Sequence, residues 1–311
     1  MHPRDSHVVV IGGGTMGADV AVVFARAGAR VTVVEPDAAK AARLPTHARQ
    51  ELDLMGRVEH ADRVAVVPNL AEVDWSKVGL VVECVFERLD AKRQLFAQLV
   101  EVSPREALLC SNSSGIPISR IAEGLPTRER MFGLHFFMPA HLVPLVEVVF
   151  GPESDAALAA GLADVMRQCG SVPVQVRKDR PGFLANRLQH ALAREAFALL
   201  DDGVASAEDI DAAVRFGFGF RFLASGPVRQ RDHAGLDIHC AAAATIYPSL
   251  CNDAQPARVL QQHVHEGRTG MKSGAGFEVW PDARRLAERQ RYDRLLRQGL
   301  ELLRDELPPL E

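Results

Sequence analysis

The chain has 311 residues, 47% of them hydrophobic and 24% charged, with a formal net charge of −4. That is length enough for two ordinary domains and apolar material for a sizeable core, but it supplies no broad field for nucleic acid or an anionic membrane surface. The five cysteines (Cys84, Cys110, Cys169, Cys240 and Cys251) are scattered and contain no C-x-x-C pair. They read as reduced thiols, not as a disulfide framework or a zinc site.

Residues 1–7 are polar, and glycines interrupt the first apolar run at once, so there is no signal-peptide pattern. No stretch approaches the ~18 apolar residues needed to cross a bilayer. A cytoplasmic protein with no membrane partner is expected.

In chain order, short runs rich in Val, Ile and Leu lie at 7–11, 30–35, 64–67, 80–85 and 107–110. Continuous apolar runs of this length suit strands buried on both faces of a parallel sheet. Helical patterns at 16–28 and 90–102 lie between them, which implies βαβ units and a doubly wound α/β sheet of the Rossmann type. Two further runs, 131–137 and 145–150, flank a turn containing Pro139 and Pro144, and a last strand at 172–176 follows. The segment Lys178, Asp179, Arg180, Pro181, Gly182 then marks a boundary. Expected domains are 1–180, binding a dinucleotide, and 181–311, all helical, with helices at 183–202, 207–215, 228–246, 257–266 and 284–304.

Gly12, Gly13, Gly14, Thr15, Met16 and Gly17 satisfy G-x-G-x-x-G directly after the first strand and at the start of a helix. That is the context the dinucleotide mechanism requires. Gly12 permits the tight turn, Gly14 the approach of the pyrophosphate, and Gly17 close helix–strand packing, while the helix N-terminus faces the phosphates. Glu35 ends the second strand and is placed to accept from ribose hydroxyls and repel a 2′-phosphate, favouring NAD over NADP. The bland alternative is a glycine-rich turn without a ligand.

His135 and Glu147 fall in adjacent apolar runs, twelve residues apart. If those runs form a hairpin, the two side chains meet near the carboxyl edge of the sheet. A carboxylate on Nδ1–H would fix the imidazole tautomer and leave Nε2 free to take a hydroxyl proton. Viewed alone, His135 would equally suit a structural histidine and Glu147 a surface acid.

Several segments together carry a family resemblance. Ser111 to Ser114, Gly133 to Phe137, Leu145 to Val149, Pro181 to Arg187 and Lys272 to Phe277 occur in an order that resembles the L-3-hydroxyacyl-CoA dehydrogenase family. The resemblance implies that His135 is the base and Glu147 its orienting partner, with Ser114 and Asn186 bonding the reacting oxygen. It implies that Glu87, Lys92, Ser114 and Lys272 contact the cofactor, and that the helical domains form a homodimer. Without it, Ser114 is a turn or N-cap residue, Asn186 a helix-start polar residue, Glu87 a helix-start acid, and Lys92 and Lys272 surface lysines.

Three departures bear on the substrate. The CoA enzymes carry a long lysine-bearing helical hairpin after the second strand. Here 36–63 is short, with Lys40 its only lysine and Arg43, Arg49 and Arg57 suited either to phosphate or to solvent. Met138 stands where the acyl-CoA enzymes have asparagine, and the stretch from Ala140 to Glu147 looks closer to the carnitine and gulonate dehydrogenase branches. Ser114 to Ile118 is similar to a pyridine-carboxylate dehydrogenase of the wider group. Arg221, amid Phe216, Phe218, Phe220 and Phe222, suits a carboxylate anchor or a packing arginine. His233, His239, His263 and His265 lack a partner set, so no metal site is expected.

The leading expectation is an NAD-dependent 3-hydroxyacyl-CoA dehydrogenase of fatty acid metabolism. A dehydrogenase of a small free hydroxy acid comes next, then a non-catalytic NAD-binding or structural protein.

Overall fold

A computed structural model describes residues 2–310. The chain forms two compact units: Met1–Asn186 together with Leu296–Glu311, and Arg187–Leu295. The first unit therefore extends past the 180/181 boundary read from the sequence and takes back the C-terminal segment. Leu310 packs on the core of that unit, and its carbonyl accepts from Arg57 Nη2 at 3.5 Å.

The first unit is an eight-stranded sheet in the order β3-β2-β1-β4-β5-β6-β7-β8. The strands are β1 His7–Ile11, β2 Arg30–Val34, β3 Val64–Val67, β4 Val78–Glu83, β5 Leu108–Ser111, β6 Met131–Phe136, β7 Leu145–Phe150 and β8 Val172–Val176. β1 to β6 pair in parallel, β7 runs antiparallel to β6, and β8 is parallel to β7. β1, β5 and β6 are buried at every residue, as continuous β-branched and apolar runs require when helices cover both faces. The edge strands β3 and β8 are partly exposed, and β8 tolerates Pro173 because one of its sides has no ladder to supply.

The longer helices of this unit are α1 Thr15–Arg26, α2 Leu44–Leu54, α3 Leu89–Val102 and α4 Ala156–Gln168. Phe24 under one face of the sheet and Phe96 under the other are wholly buried. Each such side chain contributes about 1.5–3 kcal/mol relative to exposure. α2 and α4 are not among the expected helices. α4 had a readable start: the Asp155 carboxylate caps it by accepting from Ala157 N and Leu158 N at 2.7 and 2.9 Å.

The second unit is helical: most of α5 Ala185–Asp201, then α6 Ala207–Ala213, α7 Arg229–Ala234, α8 Leu236–Ile246, α9 Arg258–His265 and the start of α10 Asp282–Leu302. The helix expected over 228–246 is two, broken at Gly235, whose φ of 92° ends α7. Among the described residues, no apolar side chain between 187 and 295 is fully buried. Leu188, Leu192, Val228, Leu236, Ile238, Ile246 and Tyr247 all stand exposed.

Candidate active site

β1 has β2 on one side and β4 on the other, so the strand order reverses beside the glycine-rich turn. Open α/β sheets bind ligands at that point, outside the carboxyl ends of the strands. Gly12 has φ 97°, and a Cβ there would meet the Cys84 carbonyl oxygen at 3.0 Å. A Cβ on Gly17 would lie 1.8 Å from the Gly12 oxygen, whereas at Gly14 it would meet nothing within 4 Å. The turn thus needs glycine at 12 and 17 to close, and at 14 it leaves an open approach to the N-terminus of α1. No side chain caps that N-terminus, so its N–H groups face outward as an anion cradle. Thr15 and Met16 are its first helical residues.

Glu35 is buried, one oxygen accepting from Gly13 N at 2.8 Å and the other from Asp37 N at 2.9 Å. It braces the turn with one lone pair per oxygen and keeps another for a ribose hydroxyl. The brace also crowds position 13, where a Cβ would meet Leu44 Cδ1 at 2.7 Å and Glu35 Cβ at 3.0 Å. The motif pattern alone treats position 13 as free. These residues fit a dinucleotide. Gly17→Ala is expected to weaken NADH binding at least about tenfold, the minimal cost of overpacking so tight a contact, as read by titration of NADH fluorescence.

Behind the turn, Lys92 is buried, which excludes the surface-lysine alternative. It is 1% exposed, and its Nζ donates to both oxygens of Glu83, at 2.7 and 2.9 Å. Glu83, 0% exposed, also accepts from Ser111 Oγ at 2.6 Å and Val85 N at 2.7 Å. Lys92 therefore ties the carboxyl ends of β4 and β5 together through Glu83 and Ser111. Glu83 escaped the sequence reading because it sits inside an apolar run. Lys92→Ala should cost about 3–5 kcal/mol, the usual penalty for orphaning a buried charge, visible as a lowered urea midpoint.

Glu87 is half exposed and lies 3.3 Å from Lys92. It accepts from Ser113 Oγ, from Gly115 N at 3.0 Å and from Ile116 N at 3.3 Å. Burial alone would raise its pKa, but these donors and Lys92 hold the carboxyl below its usual range. It thereby shapes the loop that presents Ser114, which is exposed.

β6 and β7 pair with His135 directly opposite Glu147. Nδ1 of His135 and Oε2 of Glu147 are 2.7 Å apart, with the side chains 3% and 0% exposed. The rings of Phe137 and Phe183 stand edge-on to the imidazole, at 4.5 and 5.5 Å between centroids. The other oxygen of Glu147 accepts from Leu184 N at 3.1 Å and Ala185 N at 2.8 Å. Gly182 and Phe183 have left-handed backbones, φ 77° and 49°, and the turn they make leads directly into those two amides. The carboxylate thus holds the imidazole on one side and the first turn of α5 on the other.

Asn186 follows directly, its Nδ2 donating to the backbone oxygen of Ser114 at 3.5 Å. The sequence missed Asn112, whose Oδ1 accepts from Phe136 N at 2.9 Å and so links the end of β5 to the end of β6. Met138, before a cis Pro139, is 65% exposed. In the second unit, Arg221 and Lys272 are exposed, and neither guanidinium nor ammonium has an ion-pair partner among the described residues.

A second buried polar cluster lies beside the first turns of α1. Asp19 Oδ1 is 2.9 Å from His47 Nε2 and 3.1 Å from His141 Nδ1, and His141 Nε2 is 3.1 Å from Glu51. Burial disfavours charge on His141, but the flanking Asp19 and Glu51 carboxylates outweigh it and raise the pKa to about 9.

A parallel sheet reversing at a glycine-braced helix N-terminus, with a buried imidazole–carboxylate pair on a neighbouring strand, defines an NAD-binding dehydrogenase architecture. Residues 7–180 match the family model for the 3-hydroxyacyl-CoA dehydrogenase NAD binding domain, and residues 182–280 match that for its C-terminal domain. The chain belongs to the 3-hydroxyacyl-CoA dehydrogenase family, and its cofactor is NAD.

It is 32% identical to a 5-formyl-3-hydroxy-2-methylpyridine 4-carboxylate 5-dehydrogenase of Mesorhizobium japonicum, over 93% of this chain and 96% of that protein. It is 35% identical to the 3-hydroxyadipyl-CoA dehydrogenase of Escherichia coli, over 98% of this chain but 63% of that longer protein. A crystal structure of a dehydrogenase of the same pyridine carboxylic acid, described as an NAD+ dependent dismutase, superposes with a TM-score of 0.89. That match has 29% identity and covers 95% of this chain and 98% of the other. Among the described residues no helix is long and apolar enough to cross a membrane.

Proposed function

We propose that this protein is an NAD-dependent dehydrogenase in which His135 exchanges the hydroxyl proton of a secondary or primary alcohol. The observation that carries the reading is the cross-strand pair of His135 and Glu147 at the carboxyl edge of the sheet. Bound NAD supplies the hydride acceptor. Glu147, which as a carboxylate only accepts, keeps the proton on Nδ1 and so leaves the Nε2 lone pair for the substrate hydroxyl. Phe137 and Phe183 keep water from the ring, and the Ser114 hydroxyl and Asn186 amide donate to the oxygen as it becomes a carbonyl. Gly12, Gly14, Thr15, Met16, Gly17, Glu35 and Glu87 form the cofactor side in this reading.

For the substrate, the reading favours a small free carboxylic acid over an acyl-CoA, reversing the order expected from sequence. The phosphates of CoA need available cations. Around α2, Arg49 pairs with Asp62, Arg57 with the Leu310 carbonyl, and Lys40 lies over the Phe86 ring, which leaves Arg43 exposed and outside these contacts. The full-length likeness to the pyridine-carboxylate enzyme supports the same choice. The acyl-CoA reading keeps the support of the 35% identity to the hydroxyadipyl-CoA enzyme. The test is a panel in which small hydroxy carboxylic acids, or formyl carboxylic acids reacting as their hydrates after addition of water, drive NAD reduction. Oxidation of NADH by acetoacetyl-CoA or longer 3-ketoacyl-CoA, with no response to the free acids, would restore the CoA assignment.

The reading includes a homodimer. Leu236, Ile238 and Ile246 on the short helix α8 are all exposed, and apolar side chains clustered in this way support an interface that a second copy would cover. Light scattering should give twice the chain mass; a monomer at micromolar concentration would refute the dimer.

A further inference from the structure

Asp19 lies on α1, His47 and Glu51 on α2, His141 in the β6–β7 turn, and Arg297 near the end of α10. Far apart in sequence, they escaped a search for metal ligands by spacing. We propose that Asp19, His47 and His141 form a binding site for a divalent transition metal of the zinc class, distinct from the dinucleotide and imidazole–carboxylate sites.

The geometry supplies three ligand atoms, Asp19 Oδ1, His47 Nε2 and His141 Nδ1, all within 4.8 Å of one another. Zinc bonds of about 2.0–2.1 Å in a tetrahedron separate ligand atoms by about 3.3 Å. The Asp19 contacts of 2.9 and 3.1 Å fall a few tenths short of that, a shift side-chain rotation supplies.

The independent observation is His141 itself. It is 7% exposed, and its Nδ1, although 3.1 Å from Asp19, makes no aligned hydrogen bond. A buried ring nitrogen aimed at a carboxylate without bonding it is where a metal belongs. The supporting groups match as well. Nε2 of His141 faces Glu51, which Arg297 holds at 2.6 Å, the carboxylate–histidine–metal arrangement that fixes the tautomer and ring orientation of a ligating imidazole. The free oxygen of Asp19 accepts from Ala140 N at 3.2 Å. His47 is 33% exposed, which leaves an entry path and room for water as fourth ligand. Two imidazoles and one carboxylate select zinc, cobalt or nickel over calcium or magnesium.

The test uses the full, untagged chain stripped of metal with a chelator. Titration with zinc chloride in a calorimeter should show one saturable equivalent, and cobalt(II) should give the intense visible absorption of a tetrahedral site. His47→Ala, at a half-exposed position outside the proposed catalytic groups, should lower zinc affinity at least tenfold and leave NAD-dependent turnover unchanged. His233→Ala should change neither. Absence of a saturable equivalent, or one that survives both His47→Ala and Asp19→Asn, would overturn the site and leave the cluster a structural imidazolium between two acids.

Discussion

His135→Ala should lower turnover by about 10²–10⁴, the usual contribution of a positioned general base, while NADH affinity stays within twofold. That range is about 2.7–5.5 kcal/mol of transition-state stabilisation. The prediction separates chemistry from architecture because the His135 side chain makes one hydrogen bond among the described residues, to Glu147, and otherwise packs against Phe137 and Phe183. The dinucleotide turn is built from other strands: Gly12 N bonds Val34 O at 2.9 Å and Gly13 N bonds Glu35 at 2.8 Å. A variant that still binds NADH but turns over at the wild-type rate would remove His135 from the mechanism.

Glu147→Gln carries the second large effect, because three donors converge on that carboxylate: His135 Nδ1–H, Leu184 N–H and Ala185 N–H. An amide has one acceptor oxygen and one NH2 group. The two backbone amides cannot reverse their polarity, so they hold the glutamine oxygen and turn its NH2 toward His135. Nδ1 must then accept, and the ring proton moves to Nε2, the atom that has to receive the substrate proton. Turnover should fall by up to ~10⁴, the scale found when an orienting acid loses its charge and the wrong tautomer results. Stability should fall by about 1.5–3 kcal/mol, the worth of a hydrogen bond to a charged group. Steady-state rates and urea unfolding of the same variant check both. A variant with full activity would show that the imidazole needs no acidic partner.

Much of this was legible before any coordinates. The runs at 7–11, 64–67, 145–150 and 172–176 have the same bounds as their strands, because β-branched residues cluster there whether the strand is buried on both faces, as β1 is, or lies at an edge, as β3 and β8 do. Glycines 12 and 17 were readable because backbone closure there admits no other residue, and Gly14 because the motif keeps that position open to the pyrophosphate. The His135–Glu147 pairing followed from antiparallel register once two apolar runs were seen to flank a proline turn.

What was not legible depended on contacts between residues distant in sequence. Lys92 looks like a surface residue of an amphipathic helix until Glu83 is found beneath it. The brace from Glu35 to Gly13, the engaged cations around α2 and the His141 cluster likewise exist only where separate elements meet. The return of Leu310 to the first unit has no local signal at all, since a short apolar tail reads the same whichever core receives it.

The central claim is that His135 and Glu147 act as one device, and a double-mutant cycle on turnover measures it most directly. If the pair is a unit, Glu147→Gln in a His135→Ala background should slow the enzyme no further than His135→Ala alone. Losses that multiply, so that the double variant is slower by the product of the single effects, would contradict it.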